Sequence, residues 1–168
     1  SVNPEQLVKL CEDLRKEFDF ILIDCPAGIE QGFKTAIAAA DTAIVVTMPE
    51  ISAVRDADKI IGELSRADKE DIKLIVNRIR PQMVESGDML DMNDINDILS
   101  IECIGQVPDD EMVVTSTNKG EPCITMEHSL AGQAYRNIVG RICGEDIPFM
   151  EFPKEGFFQR LKRRVFGA

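Results

Sequence analysis

The sequence has no Trp, one Tyr, one His and no C-x-x-C pair among its 168 residues. With His128 as the single imidazole and no ligand pairs spaced for tetrahedral coordination, no zinc site is expected. His128 reads as an ordinary residue near a helix start. No run of eighteen apolar residues occurs, so no helical membrane span is expected. Basic residues are scarce: 19 Lys and Arg against 30 Asp and Glu give −11. That balance argues against a general nucleic-acid surface, because phosphate contacts need a basic face. Neither an initiator Met nor a secretory apolar stretch stands near Ser1, and the chain reads as a piece of a longer protein.

What is there is a globular composition, 44% hydrophobic, in a chain about one domain long. The five cysteines (Cys11, Cys25, Cys103, Cys123 and Cys143) are odd in number and mostly sit in apolar periodic segments, which predicts reduced, buried thiols. Charge is unevenly spread. Residues 154–168 hold Lys154, Arg160, Lys162, Arg163 and Arg164 against Glu155, a net +4 that leaves −15 for the rest.

Asn3-Pro4 has the form of a helix start, and Leu7, Val8, Cys11 and Leu14 share one face of the helix it would open. Three nearly unbroken apolar runs come next, at 20–24, 42–47 and 72–77, and a more polar fourth at 101–107. Helical patterns lie between and after them, at roughly 31–40, 52–65, 87–99 and 128–143. Strands apolar on both faces that alternate with helices specify a doubly wound α/β domain with a mostly parallel sheet. We place it at residues 1–143, followed by an aperiodic linker at 144–155 with Pro148 and Pro153, and a terminal helix at 156–168. Ligands of such sheets collect at the carboxyl ends of the strands, here Asp24–Gly28, Thr47–Glu50, Asn77–Pro81 and Val107–Asp110.

At the first of these ends, GIEQGFKT nearly spells a phosphate-binding loop. It fails on spacing: only three residues separate Gly28 from Gly32, and Phe33 intervenes before Lys34. Asp24, closing an apolar strand, is the type of carboxylate that holds a Mg²⁺-bound water in nucleotide hydrolases, although strand-end Asp residues also serve simply as turn formers. Cys25 lacks the Arg six residues on that a phosphatase nucleophile needs, since Gln31 stands there, and it reads as a small side chain in the turn. Asn118-Lys-Gly-Glu121 approximates a guanine-reading motif but has Glu in place of Asp, so GTP is discounted.

FDFILIDCPAGIEQGFKTAIAAADTAIVVTMPEISAVRDADKIIGEL, LIVNRIRP, GDMLD, VPDDEMVVTSTNKGEP and AGQAYRNIVGRI, in that order, resemble the MinD family. These are the septum-site-determining ATPases of the deviant-Walker-A group, which also contains the ParA proteins. The resemblance spans nearly the whole chain. It implies a P-loop NTPase fold and a homodimer formed around ATP. It also implies cytoplasmic residence with peripheral attachment to the inner face of the cell membrane, an inhibitor partner, MinC, and an activator of hydrolysis, MinE. By the resemblance Asp24 takes the second acidic (Walker B) position and holds Mg²⁺ through water, and Gly28 is the switch that senses the γ-phosphate. Asn77, Arg78, Pro108 and Asp109 lie where the family contacts adenine. Arg55, Asp56, Asp58 and Lys59, by composition a solvated helix face, become the candidate surface for the two protein partners. The family usually has Ser where Cys25 stands, which weakens any hydrogen bond made there. Its Gly-rich loop, of the form GKGGVGKT, and its first switch Asp are not in these 168 residues. The expectation is a C-terminal portion of such a protein that neither binds ATP tightly nor hydrolyses it alone.

On a helical wheel Phe157, Phe158, Leu161 and Val165 share a third of the circle, Arg160, Arg163 and Arg164 lie on the other side of its edge, and Lys162 borders the apolar stripe. This pattern suits a helix lying in an anionic membrane surface. Burying four apolar side chains contributes about 6–12 kcal/mol, and four basic residues near anionic lipid about 1 kcal/mol each. Ordering ten residues costs about 10–15 kcal/mol. The terms nearly cancel, so one helix binds weakly, and two on a dimer gain avidity of about 10²–10⁴. Two other readings stand beside the ATPase: a non-catalytic membrane-binding fragment, and a ParA-like DNA-partition ATPase. The basic, aromatic tail fits lipid better than DNA, and no specific nucleic acid is expected.

Overall fold

The computed structural model describes residues 3–26 and 28–152. Helix α1 (Pro4–Leu14) starts where Asn3-Pro4 predicts. The Asn3 side chain accepts from Glu5 N, Gln6 returns its side-chain oxygen to Asn3 N, and Pro4 needs no donor at the first helical position. The chain continues through α2 (Gln31–Ala39), β1 (Ala43–Thr47), α3 (Ile51–Arg66), β2 (Ile72–Ile79), α4 (Pro81–Ser86), α5 (Met92–Leu99), β3 (Glu102–Pro108), α6 (Glu111–Lys119) and α7 (Leu130–Ile142).

The three strands lie in the order β1-β2-β3, all parallel, with Ala43 to Thr47 opposite Ile72 to Val76. β2 is central and apolar on both faces. Leu74 and Val76 pack with Val45, Val54, Ala57, Leu64, Ile95 and Leu99, the layer of α3 and α5. Ile75 packs with Ile104, Val107, Ala134 and Ile138, the layer of α7. Helices therefore cover both faces of a parallel sheet, the α/β architecture expected from the alternating runs. Gly105 lets α7 close on β3: a Cβ there would lie 2.5 Å from Ile138 Cδ1.

Asp110 joins two helix starts. Its carboxylate caps α6 through Met112 N at 2.9 Å and accepts from Ser129 Oγ at 2.8 Å and Ala131 N at 3.0 Å, at the beginning of α7. Burial pushes its pKa up, but the backbone and hydroxyl donors outweigh that and hold it below the usual carboxylate range.

The structure departs from the sequence-based expectation in four places. Residues 20–24 do not form a strand; they run without a sheet partner, and Leu22 is 88% exposed. A strand exists only by pairing, and among the described residues β1 pairs with β2 alone. The helix expected at 87–99 starts only at Met92, where Asp91 opens α5 with its own capping box, and a short helix not expected, α4, precedes it and ends at Gly87, at φ +78. Helix α6 is an addition to the expected elements, although Asp110 before it and Gly120, at φ +69, after it are ordinary cap residues. Of the cysteines, only Cys11 is buried; Cys25 and Cys143 are exposed, because both lie in turns outside the sheet and helix interiors. All five are free thiols. Among the described residues no helix is long and apolar enough to cross a membrane.

Burial sorts two leucines of similar sequence context. Leu74→Ala removes a side chain with no exposure and is expected to cost about 2–5 kcal/mol in urea unfolding. Leu22→Ala in this chain is expected to cost less than about 0.5 kcal/mol, as at other exposed sites.

Candidate functional site

The carboxyl ends of the strands and the 24–28 turn gather most of the residues singled out from the sequence. Asp24, Gly28, Thr47 and Asn77 line one open cleft of about 2210 Å³, walled by residues 18–26 on one side and β1 on the other. That volume exceeds the roughly 300–1,000 Å³ of a small-ligand pocket, leaving room for more than a nucleotide. Arg78, Pro108 and Asp109 do not line the cleft; they sit beside it where β2 and β3 end.

The 24–28 turn explains its own glycines. Gly28 has φ +99, a conformation that L side chains rarely adopt. At Gly32, on the first turn of α2, a Cβ would stand 2.7 Å from Pro26 Cγ. The glycines of GIEQGFKT thus serve a turn and a close approach, and they do not frame a phosphate loop. Burial, and secondarily the charge of Asp24, push the Cys25 thiol pKa up. A thiol so placed is a poor nucleophile, in keeping with a small turn residue.

The end of β2 is irregular. Its register against β3 shifts between Val76 and Ile79, and Arg78 takes φ +59. Asn77 Oδ1 accepts from Arg78 N at 2.9 Å, which supports this turn locally. A non-glycine residue held there costs about 1–3 kcal/mol, and such positions cluster at ligand sites. Asp109 is tied in by its own N–H to Ile79 O at 2.9 Å. Its carboxylate meets Arg80 Nε at 2.6 Å and Arg78 Nε at 3.5 Å. Two guanidinium groups at one strand end face an anion or a heteroaromatic ring equally well. Arg80 is the residue that the sequence did not single out, although its spacing of two from Arg78 would bring both to one face of a strand.

On α3, Arg55, Asp56, Asp58 and Lys59 are all exposed, with Lys59 paired to Asp56 at 2.8 Å, and the last three also line the cleft. An exposed pair of this kind adds little stability, so the face is open to a partner. The tail residues Phe157, Phe158, Arg160, Leu161, Lys162, Arg163, Arg164 and Val165 lie outside the described residues.

The septum site-determining protein MinD of Synechocystis sp. is 49% identical over 171 aligned residues, covering all of this chain and 64% of its own length. The chain belongs to the MinD family. The MinD of a MinC:MinD cell division protein complex from Aquifex aeolicus superposes with a TM-score of 0.86 at 43% identity, over 90% of this chain and 64% of that one. MinD from Pyrococcus horikoshii, complexed with Mg-ADP, superposes with a TM-score of 0.72 at 27% identity, over 83% of this chain and 56% of its own. No family model matches the chain. It spans less than two thirds of the length of these MinD relatives.

The described residues fit a nucleotide in part. Among them there is no group of three or more His, Cys, Asp or Glu that could hold a metal ion. A lone carboxylate such as Asp24 suits Mg²⁺, which keeps several waters and takes its other ligands from phosphates. The β2 and β3 ends offer Asn77, Arg78 and Pro108 to a base, but these residues contain no backbone cradle for phosphates.

The two kinds of glycine give opposite signs on substitution. Gly32→Val, which meets Pro26, is expected to lower Tm by about 2–12 °C, from roughly 1–3 kcal/mol of overpacking. Gly62→Ala, in α3 with nothing within 4 Å of its added Cβ, is expected to raise stability by about 0.5–1 kcal/mol. Calorimetry on both variants checks the pair.

Proposed function

We propose that these residues are the part of a MinD-type ATPase that holds Mg²⁺, senses the bound phosphates and contacts the base. The whole protein then dimerises on ATP, attaches to the inner face of the cell membrane, recruits a MinC-like inhibitor and releases after a MinE-like activator triggers hydrolysis. The observation that carries the reading is the placement of Asp24 and Gly28 across one cleft from Asn77, in a chain matched along its entire length to MinD. The relative crystallised with Mg-ADP supports the cofactor, and the relative crystallised with MinC supports that partner.

In this reading Asp24 would hold Mg²⁺ through a water, and Gly28, at a positive φ, would present its backbone to the terminal phosphate. Arg78 and Arg80, anchored by Asp109, flank the base. Mg²⁺, when bound, neutralises charge on the phosphate oxygens. The phosphate cradle comes from polypeptide outside these residues. It would seat in the cleft, against the unpaired edge of β1 and the extended 20–24 segment. The exposed face of α3 is the docking surface for the protein partners.

In the full-length protein, Asp24→Asn is expected to lower ATP hydrolysis by about 10–100-fold, as loss of an outer-sphere metal ligand does. Phosphate release is the readout, and hydrolysis at the unaltered rate would remove Asp24 from the site. Phe157→Glu or Leu161→Glu is expected to abolish sedimentation of the ATP-loaded protein with anionic vesicles while circular dichroism stays unchanged. Sedimentation equal to that of the parent would end the membrane reading.

A further inference from the structure

One side chain, Arg141, makes the polar side-chain contacts that tie the segment after α7 to the domain. α7 ends in a Schellman turn: Gly144, at φ +88, donates to Arg141 O at 3.0 Å, and Glu145 N donates to Gly140 O at 2.9 Å. The chain doubles back, and Ile147 fills the space above Gly140, where a Cβ would lie 2.3 Å from Ile147 Cδ1. Arg141 then bridges three elements. Its Nε donates to Ile147 O at 2.9 Å, its Nη2 to Pro148 O at 3.0 Å and its Nη1 to Ile104 O in β3 at 2.9 Å. The Phe149 ring lies 4.3 Å from the guanidinium carbon. Further on, Met150 packs with the α7-side cluster and Phe152 with the cluster on the opposite face of the sheet. Met150 and Phe152 thus reach clusters on opposite faces of the sheet, while Arg141 ties residues 147–148 to β3, the last strand of the sheet.

We propose that residues 145–152 are a strap closing the β3 edge, and that Arg141 is its latch, setting the point at which the chain leaves the domain. An uncovered strand edge presents unpaired carbonyl and amide groups, and covering it with a loop is one way proteins manage the hazard. Only a planar guanidinium reaches three carbonyls and a ring face at once; an ammonium lacks that fork. The latch's hydrogen-bond partners are neutral carbonyls, so salt does not screen it as it would an ion pair. Unlatched, the strap adds eight residues to the tether of the terminal segment, about 26–29 Å of reach. On the membrane reading proposed above, that reach governs how well two tails act together, because effective concentration falls as a tether lengthens beyond its span.

The test is the backbone order of residues 146–151 in the full-length protein, by ¹⁵N relaxation. The parent is expected near the rigid value of about 0.85, unchanged in 1 M NaCl, and Arg141→Ala below about 0.6, with β2 and α7 unaltered. Arg141→Lys is expected to resemble the Ala variant. Phe149→Ser, which leaves the three hydrogen bonds in place, is expected to loosen the strap only in part and serves if Arg141→Ala fails to fold. A strap that stays rigid in both variants, or is already mobile in the parent, overturns the proposal. Vesicle sedimentation separates the two readings. Weakened binding by Arg141→Ala supports the tether, and unchanged binding beside a released strap overturns the tether but leaves the latch. Unchanged binding by Phe157→Glu is failure of the membrane reading itself.

Discussion

β2 is the strand on which the domain is built, because it is buried on both faces and bonded along both edges. Leu74 and Val76 look into the layer of α3 and α5, and Ile75 into the layer of α7, so this strand feeds both helical layers. The stretch from Leu74 to Val76 is wholly apolar, and polar residues resume at Asn77, where the register slips and Arg78 turns into the left-handed region. The candidate base site is a consequence of how the central strand ends.

The two edges of the sheet are treated differently. Beyond β3 the strap closes the side, with Arg141 supplying donors to carbonyls of both strap and strand. Beyond β1 nothing is paired among the described residues: Val46 is 60% exposed, and the cleft separates β1 from residues 20–24. Proteins rarely leave a long apolar edge open, and this one adjoins Asp24 and Gly28. On our reading, function is assembled at that open edge, where a carboxylate and a glycine turn meet groups brought by other polypeptide.

Much of the fold was legible because its signals are local. Asn3-Pro4 caps α1 as read from the sequence, and α7, at Leu130–Ile142, falls within the helical pattern at 128–143. Three of the four apolar runs, at 42–47, 72–77 and 101–107, became strands within a residue or two of their expected limits. Periodicity and caps are written in neighbouring residues, so a reading of neighbours recovers them. α6 shows the limit of that method: its caps were present, but its mixed composition of Thr, Ser, Val and Asn gave no clear period.

By itself the sequence determined the α/β class, the family, the failure of GIEQGFKT as a phosphate loop and the residues at the strand ends. The tertiary structure alone decided which runs pair. It left 20–24 without a partner, tied Asp109 to Arg78 and Arg80, set Gly32 against Pro26 and folded the 145–152 segment around β3. The reason is physical. A helix satisfies its hydrogen bonds within a few residues of itself, whereas a strand edge, a close contact or a guanidinium finds its partners only after distant parts of the chain have met.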